Sequence, residues 1–423
     1  MKLKNGIGKT LLVAMAASGL IVPAPAWSSP LENAVIKGLG RHPEVRLAEA
    51  ELSMAMTEVA MVRNGYLPAV NGSAGPNAGG LSYDVTVSQT LHDWGQTGSQ
   101  VDQARARAAQ RRAQLDAVRD EVSLEIVEVY LDVASSRAQL SLLDGHLQRL
   151  SELNEMARTR VEGQYSDQSE TGRVALAVAT AAGQQARIRG SLATAADHYA
   201  LLVDEPPNGV QLPEPPRFLE DVSDEGALEA AVAVAPMYRK AVMEVAAAEA
   251  GVRNAQASRW PRLALEGGVQ RREIGGRLVD DTSVGVRFRM ATQQGFTAMQ
   301  RPELERQRRE AAVWAAETTA RGVMRTIGAL LAAEAALDGR IHALSDQVEQ
   351  SDAVRHVYRE QFLVGRRDIQ DLVIMETEHF EAQRQLIELT IERLRLQYRG
   401  AAQLGQLTPA MVGDELQPVG DIL

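Results

Sequence analysis

Two hydrophobic periods divide this chain. Residues 81–91 alternate, with Leu81, Tyr83, Val85 and Val87 separated by Ser82, Asp84, Thr86 and Ser88. Residues 282–290 repeat the pattern, Val284, Val286, Phe288 and Met290 against Ser283, Gly285, Arg287 and Arg289. Strict alternation predicts strands with one apolar and one polar face. Weaker alternation follows Pro68 (Val70, Gly72, Ala74) and Pro261 (Leu263, Leu265 and Val269 around Glu266). The other period is helical. From about residue 102 to 160, Val118, Val122, Ile126, Val129 and Val133 lead into Leu140, Leu143, Leu147 and Leu150. From about 302 to 362 the series is Val323, Ile327, Leu330, Leu337, Ile341, Leu344 and Val348, in steps that sum to heptads. Roughly 60 residues at 1.5 Å each predict helices of about 90 Å.

The chain is duplicated. Leu31-Glu-Asn-Ala-Val35 returns as Leu228-Glu-Ala-Ala-Val232, and His42-Pro43-Glu44 returns as Ala235-Pro236-Met237. An alanine-rich helical stretch follows each and is stopped by Pro68 or Pro261, because a residue before proline leaves the α region. Each half then reads as two strands, a long helix, a break and a further helix. The expected layout is a first repeat over 27–205 with a hairpin at about 66–91, a Pro-rich linker over 206–226, a second repeat over 227–408 with a hairpin at about 262–290, and a tail over 409–423.

Composition narrows the class. Hydrophobic residues make up 45% but aromatics only 4%, a mix suited to long packed helices. The absence of cysteine excludes disulfides, thiol nucleophiles and Cys-ligated metal. A net charge of -10 is the wrong sign for nucleic acid. Lys2, Lys4 and Lys9, an apolar run over 10–22 and Ala24-Pro25-Ala26 predict an export signal cleaved after Ala26. No later run reaches the ~20 apolar residues of a membrane helix, so any membrane span must be a closed barrel. Strands of about ten residues match a bilayer crossing. In that setting Tyr83, Val85, Val87, Val284, Val286, Phe288 and Met290 face lipid, and Asp84, Thr86, Arg287 and Arg289 face a wet lumen. The strands lack a strong aromatic girdle. Four strands cannot close a barrel, but three chains supply twelve. The fold class is therefore mainly α with a small transmembrane β-barrel shared by a trimer.

The doubled layout, the Pro-stopped helices, Ser88-Gln-Thr-Leu-His-Asp-Trp-Gly95 and Gln361-Phe-Leu-Val-Gly365-Arg-Arg-Asp-Ile-Gln-Asp-Leu372 resemble the TolC family of outer-membrane export channels. The resemblance covers essentially the whole chain after the export signal. It implies a homotrimer with a twelve-stranded barrel in outer-membrane lipid and an α-helical barrel across the periplasm. It also implies docking to a periplasmic adaptor (membrane fusion) protein and, through it, an inner-membrane ABC or proton-driven transporter, with no cofactor and no nucleic acid. The segment Val364 to Asp368 looks more like members serving type I protein secretion; drug or small-molecule efflux is the alternative.

The candidate gate is the break at Gly365 with its weaker counterpart at Gly163. By the resemblance, Phe362 stands where the family often has tyrosine, Arg367 matches a basic residue linking neighbouring helices, and Asp371 matches an acidic ring at the narrowest point. Ile374 replaces a second aspartate. Glu170 or Asp167 is expected to pair with Arg367, and Asp368 to cap the restarted helix beside Arg366. As plain chemistry, Arg366, Arg367 and Asp368 read equally as a solvated helix start. The competing classes are an enzyme, disfavoured because seven histidines lie scattered without metal spacing, and a periplasmic coiled-coil protein without a pore.

Overall fold

A computed structural model describes residues 29–77, 80–165, 167–274, 277–290 and 297–413. The export signal and its expected cleavage after Ala26 lie outside the described residues. Helix α1 (Pro30–Arg41) opens on a capping box in which Ser29 Oγ accepts from Glu32 N and Ser29 N donates to the Glu32 carboxylate. His42 is extended before Pro43, so the chain restarts as α2 (Pro43–Arg63). The same device recurs where Ala235, also extended, separates α5 (Glu225–Val234) from α6 (Pro236–Ala257).

Strands β1 (Ala69–Asn77) and β2 (Gly80–His92) follow α2, and β3 (Arg262–Ile274) and β4 (Arg277–Arg289) follow α6. Each hairpin leads into a helix of 67 residues, α3 (Gln96–Glu162) and α7 (Thr297–Leu363), about 100 Å at 1.5 Å per residue. Each long helix breaks and returns as a helix of 36 residues, α4 (Gln168–Val203) and α8 (Ile369–Leu404). Helix α7 starts before Pro302, which sits inside it. Residues 409–412, read from the sequence as the start of a tail, belong to a short helix α9 (Leu407–Val412) whose Leu407 and Val412 are buried.

The four antiparallel strands run in the order β1-β2-β3-β4. The helices that carry them follow suit: α2 packs on α3, α3 on α6 and α6 on α7. Farther from the strands, α3 packs on α4 and α8, and α8 packs on α7. The layer thus ends in β1, α2 and α4 on one side and in β4 and α7 on the other. Three cores hold it. One joins α1 and α2 to the middle of α3 and to α8 and α9; one gathers α5 and the linker residues Leu219 and Val222 against α7 and α8; the third fills the far ends of α3, α4, α7 and α8. Helix α8 approaches the linker closely at Gly400, where a Cβ would lie 2.5 Å from Leu219 Cδ2 and force that buried side chain to shift. Among the described residues no helix is long and apolar enough to cross a membrane.

Candidate functional site

The two breaks are built alike. In the first, Gln164 takes the left-handed conformation (φ 60°), Gln164 N donates to Val161 O and Tyr165 N to Arg160 O. In the second, Gly365 is left-handed (φ 72°), its N donates to Phe362 O and Arg366 N donates to Gln361 O. These bonds satisfy the carbonyls that a helix end leaves free. The residue equivalent to Gly365 is therefore Gln164 and not Gly163, which keeps a right-handed helical conformation (φ −75°). In the same frame Asp167 matches Asp368 and Glu170 matches Asp371.

The two aspartates behave differently. Asp167 caps α4 by accepting from Ser169 N at 2.7 Å, and its bonds to Ser169 hold its carboxyl below the usual range. Asp368 occupies the N-cap of α8, but its side chain makes no capping bond. Only its carbonyl serves, accepting from Asp371 N at 3.2 Å. The expected side-chain cap is thus absent, although its backbone is extended as a cap requires.

Arg367 ties the end of α7 to the start of α8. Its guanidinium lies over the Tyr358 ring (4.1 Å to the centroid), and it bonds Gln361 Oε1 at 3.1 Å and Asp371 Oδ2 at 3.2 Å. Within the single chain neither Glu170 nor Asp167 pairs with it. The reason is local: Arg160 of α3 already lies 3.5 Å from Glu170 and stacks over the Phe362 ring at 4.9 Å. Phe362 itself is buried in the core of the tip with Ala157, Val174, Ile369 and Leu372. Without a hydroxyl it contributes packing and a face for the Arg160 cation. Arg366 stays exposed, and Ile374 is 41% exposed.

About three helical turns above the tip lies a cluster that sequence spacing conceals. Glu376 of α8 is buried and takes Arg149 Nε of α3 at 2.8 Å and Arg355 of α7 at 3.2 Å. Arg355 also reaches Asp352 at 2.5 Å. His379 bonds Ser351 Oγ through Nδ1 at 2.8 Å, and His146 stacks on Phe380 at 4.4 Å. Burial and the Arg149 charge push the His146 imidazole down to about 4. Nothing in the sequence brings residues 149, 355 and 376 together; only the packing of α3 on both second-repeat helices does.

At the other end, strand register separates two faces, since directly paired residues point the same way. Val85 pairs with Val269, Val87 with Gly267, Gly267 with Val284, Leu265 with Val286 and Leu263 with Phe288. This apolar face carries Val85, Val87, Val284, Val286, Phe288 and, just past β4, Met290, all exposed in the single chain. Tyr83 shares the face but sits at its outer margin, 5.4 Å beneath the Arg271 guanidinium, which pairs with Asp280 at 2.5 Å. At the inner margin, the tilted rings of Trp94 and Trp260 lie 5.4 Å apart, Trp94 Nε1 donates to Pro261 O, and Tyr66 is exposed nearby in the chain's run into β1. These rings form the girdle missing from the strands themselves. It lies in the strand-to-helix junctions, where no alternation marks it. Eleven residues separate Trp260 from Arg271, about 36 Å of strand, which a tilt of about 40° shortens to about 28 Å, close to the apolar band of a membrane barrel.

The opposite face holds Asp84, Thr86, Arg287 and Arg289, with Glu266 between them. Glu266 is only 7% exposed and accepts from Arg287 Nε at 2.7 Å and from Arg289. Among the described residues, no group of three or more His, Asp or Glu stands in a metal-holding arrangement.

The comparisons agree with this geometry. The sequence model of the family described as outer membrane efflux protein matches residues 37–200. A search by sequence finds no match among curated proteins. Among solved structures the chain is similar to CusC (TM-score 0.76, 14% identity, 89% of this chain and 92% of that one). It is similar to the outer membrane protein VceC of Vibrio cholerae (0.73, 17%, 90% and 99%) and to the open state of the outer membrane channel MtrE of Neisseria gonorrhoeae (0.74, 20%, 89% and 89%). At these identities the likeness is one of fold. The chain thus matches the sequence model of the outer membrane efflux protein family across most of its first repeat and shares the fold of these outer membrane proteins over some nine-tenths of its length.

Proposed function

We propose that three copies of this chain close into one pore, a twelve-stranded barrel in the outer membrane continued by a helical tube in the periplasm. The observation that carries this reading is the layer with two open sides in matching order. One side ends in β1, α2 and α4, the other in β4 and α7. Strand edges left bare inside a bilayer cost several kcal/mol per unsatisfied group, so β4 of one copy must meet β1 of another. The helices at both free sides carry exposed apolar groups: Leu47, Met54 and Met61 on α2 and Leu176 on α4, against Met299, Leu304 and Trp314 on α7. Such a head-to-tail contact makes a ring when its rotation closes, and a membrane barrel requires that closure.

In this tube the Gly365 and Gln164 breaks form the periplasmic tip, with Arg367, Asp371, Phe362, Arg160 and Glu170 holding it narrow. The tip docks a periplasmic adaptor, which joins it to an inner-membrane ABC or proton-driven pump. For cargo, the Val364 to Asp368 segment supports type I protein secretion. The family's description as efflux proteins supports export of small molecules. A deletion strain separates them: loss of a secreted protein from the medium supports the first, heightened sensitivity to toxic small molecules the second. The channel itself is tested by fractionation. Extraction from outer membranes only with detergent supports it, and release with soluble periplasmic proteins refutes it.

A further inference from the structure

The charges on the polar face of the sheet are sorted along the strands. Toward the helices stand Arg287 and Arg289 of β4, sharing the single buried carboxylate of Glu266 on β3. Toward the hairpin tips stand Asp84 and Asp281, whose bonds are to the neutral groups of Thr86 and Gln270. A polar cavity of about 370 Å³ runs between them, lined by Asp84, Thr86, Glu266, Gln270, Arg287 and Arg289. Arg262, the register partner of Arg289, has Asp93 within electrostatic reach and adds no clear excess.

We propose that Arg287 and Arg289 form an anion-binding belt at the inner mouth of the barrel, taking multivalent oxyanions such as polyphosphates. Glu266 is fully occupied by the two guanidiniums, so each chain keeps one uncompensated positive charge. Both arginines remain open to the lumen, with side chains 66% and 61% exposed. The neighbour that β4 meets across a closing ring is β1, and Ala69–Asn77 carries no charged residue at all. No carboxylate therefore arrives from the next chain to neutralise the arginines. Three copies set six guanidiniums around one lumen, each with N–H donors that Glu266 cannot use. Planar guanidiniums match phosphate geometry, and rings of arginine select anions in pores. The belt lies six strand residues, about 20 Å, inward of Asp281, so the acidic layer does not quench it at ordinary salt, where screening acts over about 8 Å.

The belt rests on the trimeric pore, and the experiment keeps the two apart. Purified protein is inserted in planar bilayers, where the long helices stay on the side of addition, and tripolyphosphate is added to the hairpin side. Wild-type current is expected to be interrupted in a concentration-dependent way. Arg287→Gln with Arg289→Gln should raise the half-blocking concentration by about tenfold or more, as loss of the guanidinium ring demands. Glu266→Gln, which adds one positive charge per chain while keeping shape, should lower it, and this variant decides the matter if the double variant fails to assemble. Conducting wild-type channels that tripolyphosphate does not block, or equal block in wild type and Glu266→Gln, would overturn the belt. No current from wild type would instead overturn the pore, and the belt with it.

Discussion

Replacing Arg367 by serine removes every tie between the end of α7 and the start of α8 that passes through that side chain. The ion pair to Asp371 joins side chains that are 35% and 37% exposed, and such a pair contributes about 0–1 kcal/mol. The stack on Tyr358 adds about 0.5–1 kcal/mol, and the Gln361 bond adds a similar amount at this half-exposed site. Each chain thus loses about 1–2 kcal/mol of closed-tip stabilisation, and three chains moving together lose about 3–6 kcal/mol. A shift of about 5.5 kcal/mol carries an equilibrium from 1:99 to 99:1, so a mostly closed tip becomes one that is open for much of the time. Single-channel recording in planar bilayers reads this as larger conductance and longer open dwells. Asp371→Asn, which removes only the ion pair, should give a smaller change in the same direction. Traces of Arg367→Ser that match wild type in both conductance and dwell time would refute the role given to this residue.

Glu376→Ala strands two guanidiniums that are still partly exposed, so the trimer should lose about 2–4 kcal/mol of stability per chain in denaturant unfolding; Arg149→Met with Glu376→Leu should recover most of it, since well-packed apolar groups often replace a buried ion pair at little cost. Glycine is required to different degrees at two left-handed positions. Gly365→Ala meets nothing within 4 Å and should cost only backbone strain of about 1–2 kcal/mol, whereas Gly405→Ala adds a Cβ 2.2 Å from Pro236 Cδ and should cost clearly more in the same thermal melts. Asp120 is buried, its carboxylate accepting from Thr408 N at 2.8 Å, and burial raises its folded value to about 7 from an ordinary 3.8. The folded state then holds the proton more tightly, so this group's contribution is fully present at low pH, falls as pH rises from about 4 to about 7 and is gone above. Asp120→Asn should melt like wild type near the acid end of that range and at a higher temperature at alkaline pH; equal melting at both ends would contradict it.

The architecture was legible because it is written twice in short-range code. Proline at 43 and 236, strand alternation ending at Leu91 and Met290, and long helical periods each reflect a local constraint that needs no knowledge of contacts. The tip was legible in position but not in detail. Gly163 looked like the partner of Gly365, yet the left-handed turn falls one residue later on Gln164, which tolerates it at some cost because the turn's hydrogen bonds fix it there. The resemblance places a partner for Arg367 in the first repeat; within one chain Arg160 lies beside Glu170 and Arg367 takes Asp371, a choice that no sequence period marks. Least legible were contacts across hundreds of residues: Arg149 with Glu376, His146 beside Phe380, and Trp94 on Trp260. These arise from packing between the repeats, and no period marks them.

The closed ring is tested most directly by cross-linking across its seam. The chain contains no cysteine, so every disulfide formed must involve introduced residues. Ser73→Cys on β1 is combined in turn with Ser283→Cys, Gly285→Cys and Arg287→Cys on β4, all on the polar face, where adjacent strands bring Cα atoms within disulfide reach of about 7 Å or less. Mild oxidation in outer membranes is expected to give, for at least one pair, a covalent ladder that ends at three chains. A ladder that stops at two or runs past three, or the absence of cross-links at all three positions, would contradict the trimeric pore.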